Sequence, residues 1–458
     1  MRYSAFAIFI YILLPIVHAQ SQNVIRRTVS SDQAYINRQY QHHNSIYPKR
    51  EKRDGVYLNY CKKVNSGMIK LIGAGQFFDD ANLSTYLNEI KKKLLDSNDL
   101  KTNHIHLIVD RSYMVNAKAL GNCSIIINNG LLSVLDTEEE LAYVIAHEIA
   151  HLELDHIYEK VIRAKESDIN EDARRILLGE AKREQMDEFK EKVYYTASYN
   201  RQLEKEADSL GLHLYLNVYR NTTAPLNALS KLKMIGNHST LAEELFRPFN
   251  FKKNPFDFHL LREDISIFSK ESDRVLFLAR DSLLSHPEME ERKNALSERL
   301  SKLERDTIVQ QKIDWISRSS KYENVFYSSE KKFYALALYE ALRLKHEYPR
   351  DKEISTYIIQ LLHKLHDDKR DGLFELYFSR YTKGYPQDLL MVHNFIRNIS
   401  YQELIGISYN YLGLTRNFDA DNSEHYKLLI STCEKMNQEK QADLIRQAYF
   451  QKFKTKLE

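Results

Sequence analysis

The sequence predicts a mainly α-helical chain with a small β-sheet, in which a globular N-terminal part is followed by a region of helical repeats. Three observations lead there. Only 13 Gly and 8 Pro punctuate 458 residues, which favours long helices over the many turns of an all-β fold. Two short apolar runs, residues 105–109 and 124–127, are flanked by turn-forming residues and read as strands. After about Ser301 the pattern changes to tandem amphipathic helices.

Length and charge narrow the field further. At roughly 150 residues per domain the chain has room for about three, each with a buried core. Its 66 basic and 63 acidic side chains give a net charge of +3, so neither a nucleic-acid partner nor an acidic tail is expected. Tyr and Phe number 30 and 20 against one Trp, Trp315, a bias with no specific functional reading.

In chain order, Arg2 and the apolar run 5–17, followed by Val17-His18-Ala19, have the form of an export signal cleaved near Ala19, with an uncleaved signal anchor as the competing reading. The run is too short to span a bilayer, and no later segment reaches about 18 consecutive apolar residues, so no transmembrane span is expected in the mature chain. A periplasmic or secreted location follows. Residues 20–55 form a polar leader without hydrophobic periodicity, and its Arg50-Glu51-Lys52-Arg53 reads as a solvated charge cluster, with a basic processing site as the alternative. Export would let a disulfide persist among Cys61, Cys123 and Cys433. Cys61 with Cys123 is the pair to test, and buried free thiols are an equal reading. A helix is expected at 81–95. The second strand follows Gly121-Asn122 and ends at Asn128-Asn129-Gly130.

The next segment carries chemistry. Thr137 with Glu140 three residues on forms a capping box that opens a helix. His147-Glu148-Ile149-Ala150-His151 lies within it. Residues four apart share a helix face, so both imidazoles can converge on one cation while Glu148 projects toward water. A catalytic zinc takes three protein ligands and one open position, so a third ligand is required. Glu204 and Asp208, four apart on a second predicted helix, supply it: Glu204 as ligand, Asp208 as acceptor from a ligating imidazole. Glu206 points elsewhere. His156, about 140° around the helix from His151, reads as a supporting group rather than a ligand.

Asn116-Ala117, Gly130-Leu131-Leu132, the HExxH pentapeptide, Glu204-Lys205-Glu206-Ala207-Asp208-Ser209-Leu210-Gly211 and His286-Pro287 with Arg292 occur in the order seen in the HtpX and CAAX-prenyl-protease family of zinc metallopeptidases. The chain resembles its exported, BepA-like branch over roughly residues 57–300. The resemblance implies a gluzincin-type domain holding one Zn2+ on His147, His151 and Glu204, with Glu148 as general base and Asp208 in support. It implies that residues 124–127 form an edge strand on which an extended substrate pairs. It places His286 and Arg292 near the active site, both as candidates to stabilise an oxyanion. His286 is also a candidate to cap the open zinc position or to serve only as a loop residue. Two departures stand out: the prenyl-protease membrane helices are absent, and Gly121-Asn122-Cys123 replaces a common Pro-Gly turn. Prenylated substrates are therefore not expected.

The Phe-rich, Pro-broken stretch 236–285 suits a lid or strap over the cleft, with a plain surface excursion as the alternative. Tyr348-Pro349-Arg350-Asp351 echoes in Tyr385-Pro386-Gln387-Asp388, slightly beyond the usual helix-turn-helix repeat period, and suggests two or three TPR-like units. Such stacks present surfaces for protein segments. The expected organisation is a signal peptide 1–19, a leader 20–55, a zinc metallopeptidase domain 56–300 and a TPR-like domain 301–458. The expected function is an exported zinc endopeptidase acting on protein or peptide substrates, with unfolded or misassembled envelope proteins implied by the resemblance and envelope partners met through the repeats. A binding module or chaperone with a dormant metal site is the alternative.

Overall fold

The computed structural model describes residues 55–78, 80–102, 104–166, 183–232, 242–262, 289–303, 311–378 and 387–455. The expected signal segment, nearly all of the leader and His286 lie outside these residues. The described chain forms two compact units: 55–232, 289–303 and 311–323 in one, and 242–262, 324–378 and 387–455 in the other. No described helix is long and apolar enough to cross a membrane.

The first unit opens with helix α1 (Gly55–Gly73), which buries Tyr57, Cys61, Met68 and Ile72 along one stripe. Helix α2 (Ala81–Asp96) is capped by Asp80, whose carboxylate accepts from Asn82 N and Leu83 N at 3.0 Å each. Strands β1 (His106–Asp110), β2 (Ala117–Ala119) and β3 (Ser124–Asn128) form a sheet in the order β1-β3-β2. β1 runs parallel to β3, pairing His106 with Ser124, and β2 runs antiparallel to it, pairing Ala117 with Ile127. Ile125 and Ile127 face the main core, while Ile126 joins Met68, Ile72 and Ile108 on the α1 side. Both faces of β3 are thus covered, as its unbroken apolar run requires.

β3 is therefore the central strand, and the expectation that it forms the edge is corrected. The edge is β2. Its Ala-Lys-Ala sequence has neither β-branched nor aromatic residues, so its strand character comes from pairing with β3 and not from local preference.

At the β2–β3 turn Cys123 takes a left-handed conformation (φ 60°). Tyr57 donates to the Gly121 carbonyl at 3.0 Å, and the Cys61 thiol approaches the same oxygen at 3.4 Å. All three cysteines are free thiols, which resolves the choice left open for Cys61 and Cys123.

Helix α3 (Glu138–Glu153) is buried through its first 15 residues up to Leu152, the pattern of a helix packed on all sides. Thr137 caps it, accepting from Glu140 N at 3.3 Å. The reciprocal half of the capping box is replaced: the Glu140 carboxylate accepts from Asp136 N at 2.8 Å and pairs with Lys231 at 2.6 Å. Helices α4 (His156–Glu166), α5 (Arg183–Leu216), α6 (Ala224–Leu232), α7 (Met289–Leu300) and the first part of α8 (Asp314–Glu330) complete the unit.

The expected boundary at 300/301 moves to Glu323/Asn324. Ile313 and Ile316 are fully buried in the same core as α3. Ser317 bonds the Ser133 carbonyl at 3.1 Å and Glu323 pairs with Arg111 at 2.7 Å, both buried.

In the second unit, α9 (Tyr334–Glu347) packs on α10 (Lys352–Arg370) and α11 (Gln387–Asn398), α10 packs on α12 (Tyr401–Leu412) and α13 (Ser423–Lys435), and α13 packs on α14 (Glu439–Phe453). Asp351 caps α10 through Glu353 N and Ile354 N. Asp388, its echo, sits in the first turn of α11 and accepts from Tyr339 Oη at 2.7 Å. The echo thus marks the starts of two successive long helices, with one further one-turn helix, Phe374–Tyr377, described between them. Among the described residues it encloses one long helix, where a helix-turn-helix period has two.

Residues 242–262 also belong to this unit, and for them the lid reading is corrected. Phe246 and Phe249 are buried, and the rings of Phe246, Phe249 and Phe256 lie 4.9, 6.0 and 5.7 Å from that of Phe395. The aromatic residues form a core cluster instead of a cover. Phe395→Ala is expected to destabilise this unit by about 3–5 kcal/mol through the cavity it leaves, read as an earlier urea transition with metal content unchanged. An unshifted transition would remove the cluster from the core.

Candidate metal centre

The two histidines of α3 and Glu204 of α5 meet in the first unit. Gly211 makes the approach possible. A Cβ at this position would stand 2.8 Å from His147 Cα, so only glycine lets α5 lie this close to α3. Glu204, two turns earlier on α5, then reaches the imidazoles.

His147 Nε2 lies 3.2 Å from His151 Nε2, and each lies 3.4 Å from a Glu204 carboxylate oxygen. All three residues are buried. Ligands at about 2.0–2.2 Å from a tetrahedral zinc stand about 3.3 Å apart. The two imidazole nitrogens stand at about that separation, the 3.4 Å contacts of His147 and His151 run to Glu204 Oε2 and Oε1 respectively, and two imidazoles with a carboxylate fit a zinc ion in chemistry.

The electrostatics fit as well. Burial disfavours charge on His147, but the Asp208 and Glu204 carboxylates outweigh it and push its pKa to about 9. The site therefore draws a positive charge between its carboxylates, a demand that a divalent cation meets. Burial lowers His151 to about 4, leaving a neutral imidazole suited to ligation.

Supporting residues hold the donors. His147 Nδ1 lies 3.0 Å from Asp208 Oδ1. Arg292, 3% exposed, grips Asp208 with Nε at 2.7 Å and a terminal nitrogen at 2.6 Å, and Tyr143 donates to the same carboxylate at 3.3 Å. Burial alone would raise Asp208, but its bonds to His147 and Arg292 hold it at about 2. The second Arg292 terminal nitrogen lies 3.5 Å from Glu204. Arg292, a candidate for oxyanion stabilisation, thus stands behind the carboxylates as a positioning residue. Tyr143 escaped the sequence reading, although it lies four residues before His147 and so on the same face.

His156 stands behind His151. Its Nδ1 is 2.9 Å from His151 Nδ1, and its Nε2 is 3.3 Å from Glu206 Oε2. With His151 Nε2 turned to the other donors, its Nδ1 carries the proton and donates to His156, which in turn donates to Glu206. Glu206, expected to point elsewhere, closes this chain. His156→Ala is expected to weaken metal affinity by about 10–100-fold, the usual effect of losing a partner that orients a ligating imidazole. A metal titration showing unchanged affinity would reduce His156 to packing.

Glu148 is buried beside these groups. Burial raises its pKa, partly offset by His147 and by the Ala119 amide of β2, which donates to its carboxylate. A carboxylate raised in this way is suited to accept a proton. The site opens into a cleft of about 1300 Å³ lined by α1, β2, α3, α4 and α6 together with Glu204 and Arg292.

Comparison with curated proteins gives no match for this chain. Residues 81–300 match the model of peptidase family M48, a family of zinc-dependent peptidases, and this matched stretch contains His147, Glu148, His151, Glu204, Asp208 and Arg292.

Proposed function

We propose that this protein is an exported zinc endopeptidase that cleaves peptide bonds in protein or peptide substrates, using one metal ion per chain. The observation that carries the reading is the convergence of three buried donors, His147, His151 and Glu204, whose ligand atoms lie within 4.8 Å of one another, with Glu148 alongside. Zinc held there supplies a Lewis acid that acidifies water and polarises a carbonyl.

The residues of the chain do the rest. Glu148 takes a proton from the attacking water and returns it to the leaving amine. Asp208, fixed by Arg292, keeps His147 in one tautomer and orientation. Asn116 O and Leu120 N bond to β3 at 3.0 and 2.8 Å. By antiparallel alternation Ala117 and Ala119 direct their amides and carbonyls to the open edge. Ala119 N–H goes to Glu148, and Ala117 offers its backbone to an extended substrate strand.

Unfolded or misassembled envelope proteins are the proposed substrates. The apolar run 5–17 before Ala19 supports export, and the helices of the second unit suit recruitment of protein segments. Incubating the purified chain with casein, with and without a chelator, is the test. Chelator-sensitive cleavage supports the reading, whereas no cleavage by zinc-loaded protein would favour the binding-module alternative.

A further inference from the structure

The cleft carries a charge pattern that the metal chemistry does not need. Lys63 of α1, Lys118 of β2 and Lys160 and Lys165 of α4 all line it, whereas Glu148 and Glu204 are the acidic groups among its described lining residues. Those two are buried and face the metal donors. Lys160 Nζ lies 3.6 Å from Glu204. Lys63, Lys118 and Lys165 are exposed and make no ion pair among the described residues.

This is a local arrangement. The chain as a whole is nearly balanced, with 66 basic and 63 acidic residues. α1, however, has no Asp or Glu in its 19 residues, and Lys118 shares a sheet face with its partner Ile126, on the α1 side. Between the lysines the walls are apolar, with Val56, Ile157, Val161, Leu229 and Leu232. One sign of charge in a cleft with low-dielectric walls focuses its field on whatever enters.

We propose that the peptidase selects acidic segments: an apolar residue seated in the cleft, with Asp or Glu in the flanking positions paired to Lys63, Lys118 and Lys165. The proposal rests on the peptidase reading above and assigns its substrate class. Lysine suits the task, because a flexible point charge attracts carboxylates over a range of geometries without demanding one sequence. Basic segments are repelled by the same field, which adds to the discrimination.

The test uses two fluorogenic peptides of equal length, each with a central Leu, one flanked by Glu and Asp and its match by Gln and Asn. With several contacts each contributing about two- to fivefold, kcat/KM for the acidic peptide is expected to exceed that of its match by about tenfold. The advantage should shrink as ionic strength rises from about 0.1 to about 1 M, where the Debye length falls from about 10 to about 3 Å. In the triple variant K63E/K118E/K165E the preference should reverse.

Binding of the same peptides to zinc-loaded Glu148→Gln protein, followed by fluorescence anisotropy, separates recognition from hydrolysis. Tighter, salt-sensitive binding of the acidic peptide upholds the proposal even if turnover is slow. Equal affinity and equal kcat/KM for the two peptides, or a preference unchanged by the triple variant, would overturn it. Cleavage of neither peptide by the zinc-loaded wild-type chain would instead count against the peptidase reading, with the binding comparison still deciding the acidic preference.

Discussion

Glu148→Gln is expected to lower peptidase turnover by about 10²–10⁴-fold, the usual contribution of a positioned general base, while metal content stays at the wild-type level. The reason lies in the division of labour at the site. Glu148 is absent from the cluster of donor atoms formed by His147, His151 and Glu204. Its carboxylate instead accepts the Ala119 amide and is raised by burial. The amide of Gln preserves shape and can still accept that hydrogen bond, yet it cannot take up a proton at neutral pH. Turnover measured beside elemental analysis decides the matter. Retained activity at full metal loading would transfer the proton-handling role to another group, and lost metal would make Glu148 part of the ligand set.

Glu204→Ala should have the opposite signature: the metal is lost first, and activity with it. Glu204 supplies the only carboxylate in the donor cluster found among the described residues. Removing it leaves two imidazoles and withdraws the negative charge that Arg292 and Lys160 approach at 3.5 and 3.6 Å. Lys160 would then face an incoming metal ion without that carboxylate between them, while Arg292 keeps its pair with Asp208. The loss of affinity should exceed the about 10–100-fold expected of an orienting partner such as His156. Competition against a chromophoric chelator gives the comparison. Wild-type zinc stoichiometry in Glu204→Ala would place the third ligand elsewhere.

Much of the metal centre was legible because its spacing is helical. His147 and His151 are four apart, as are Glu204 and Asp208, and each pair shares a face wherever its helix forms. Tyr143 obeys the same rule and could have been read. The chain from His151 through His156 to Glu206 could not, because its three members come from separate helices and become neighbours only when α4 and α5 pack beside α3. Helix α1 likewise gave a weak signal, since its buried stripe includes Asn65 and Cys61 among its apolar members.

The sequence by itself determined the predominance of helix, the two apolar strands, the HExxH helix with its Thr137 cap, and the identity of three convergent donors. These are properties of local spacing, and local spacing survives any arrangement of the parts. The tertiary structure alone decided which strand is the edge, because edge or centre is a matter of partners, and a three-residue Ala-Lys-Ala strand has no pattern of its own. It decided that the phenylalanines of 242–262 join the helical unit, since an apolar cluster shows that burial is needed but not where. It also decided how near α5 may come to α3, through a missing Cβ at Gly211 whose consequence exists only once the two backbones meet.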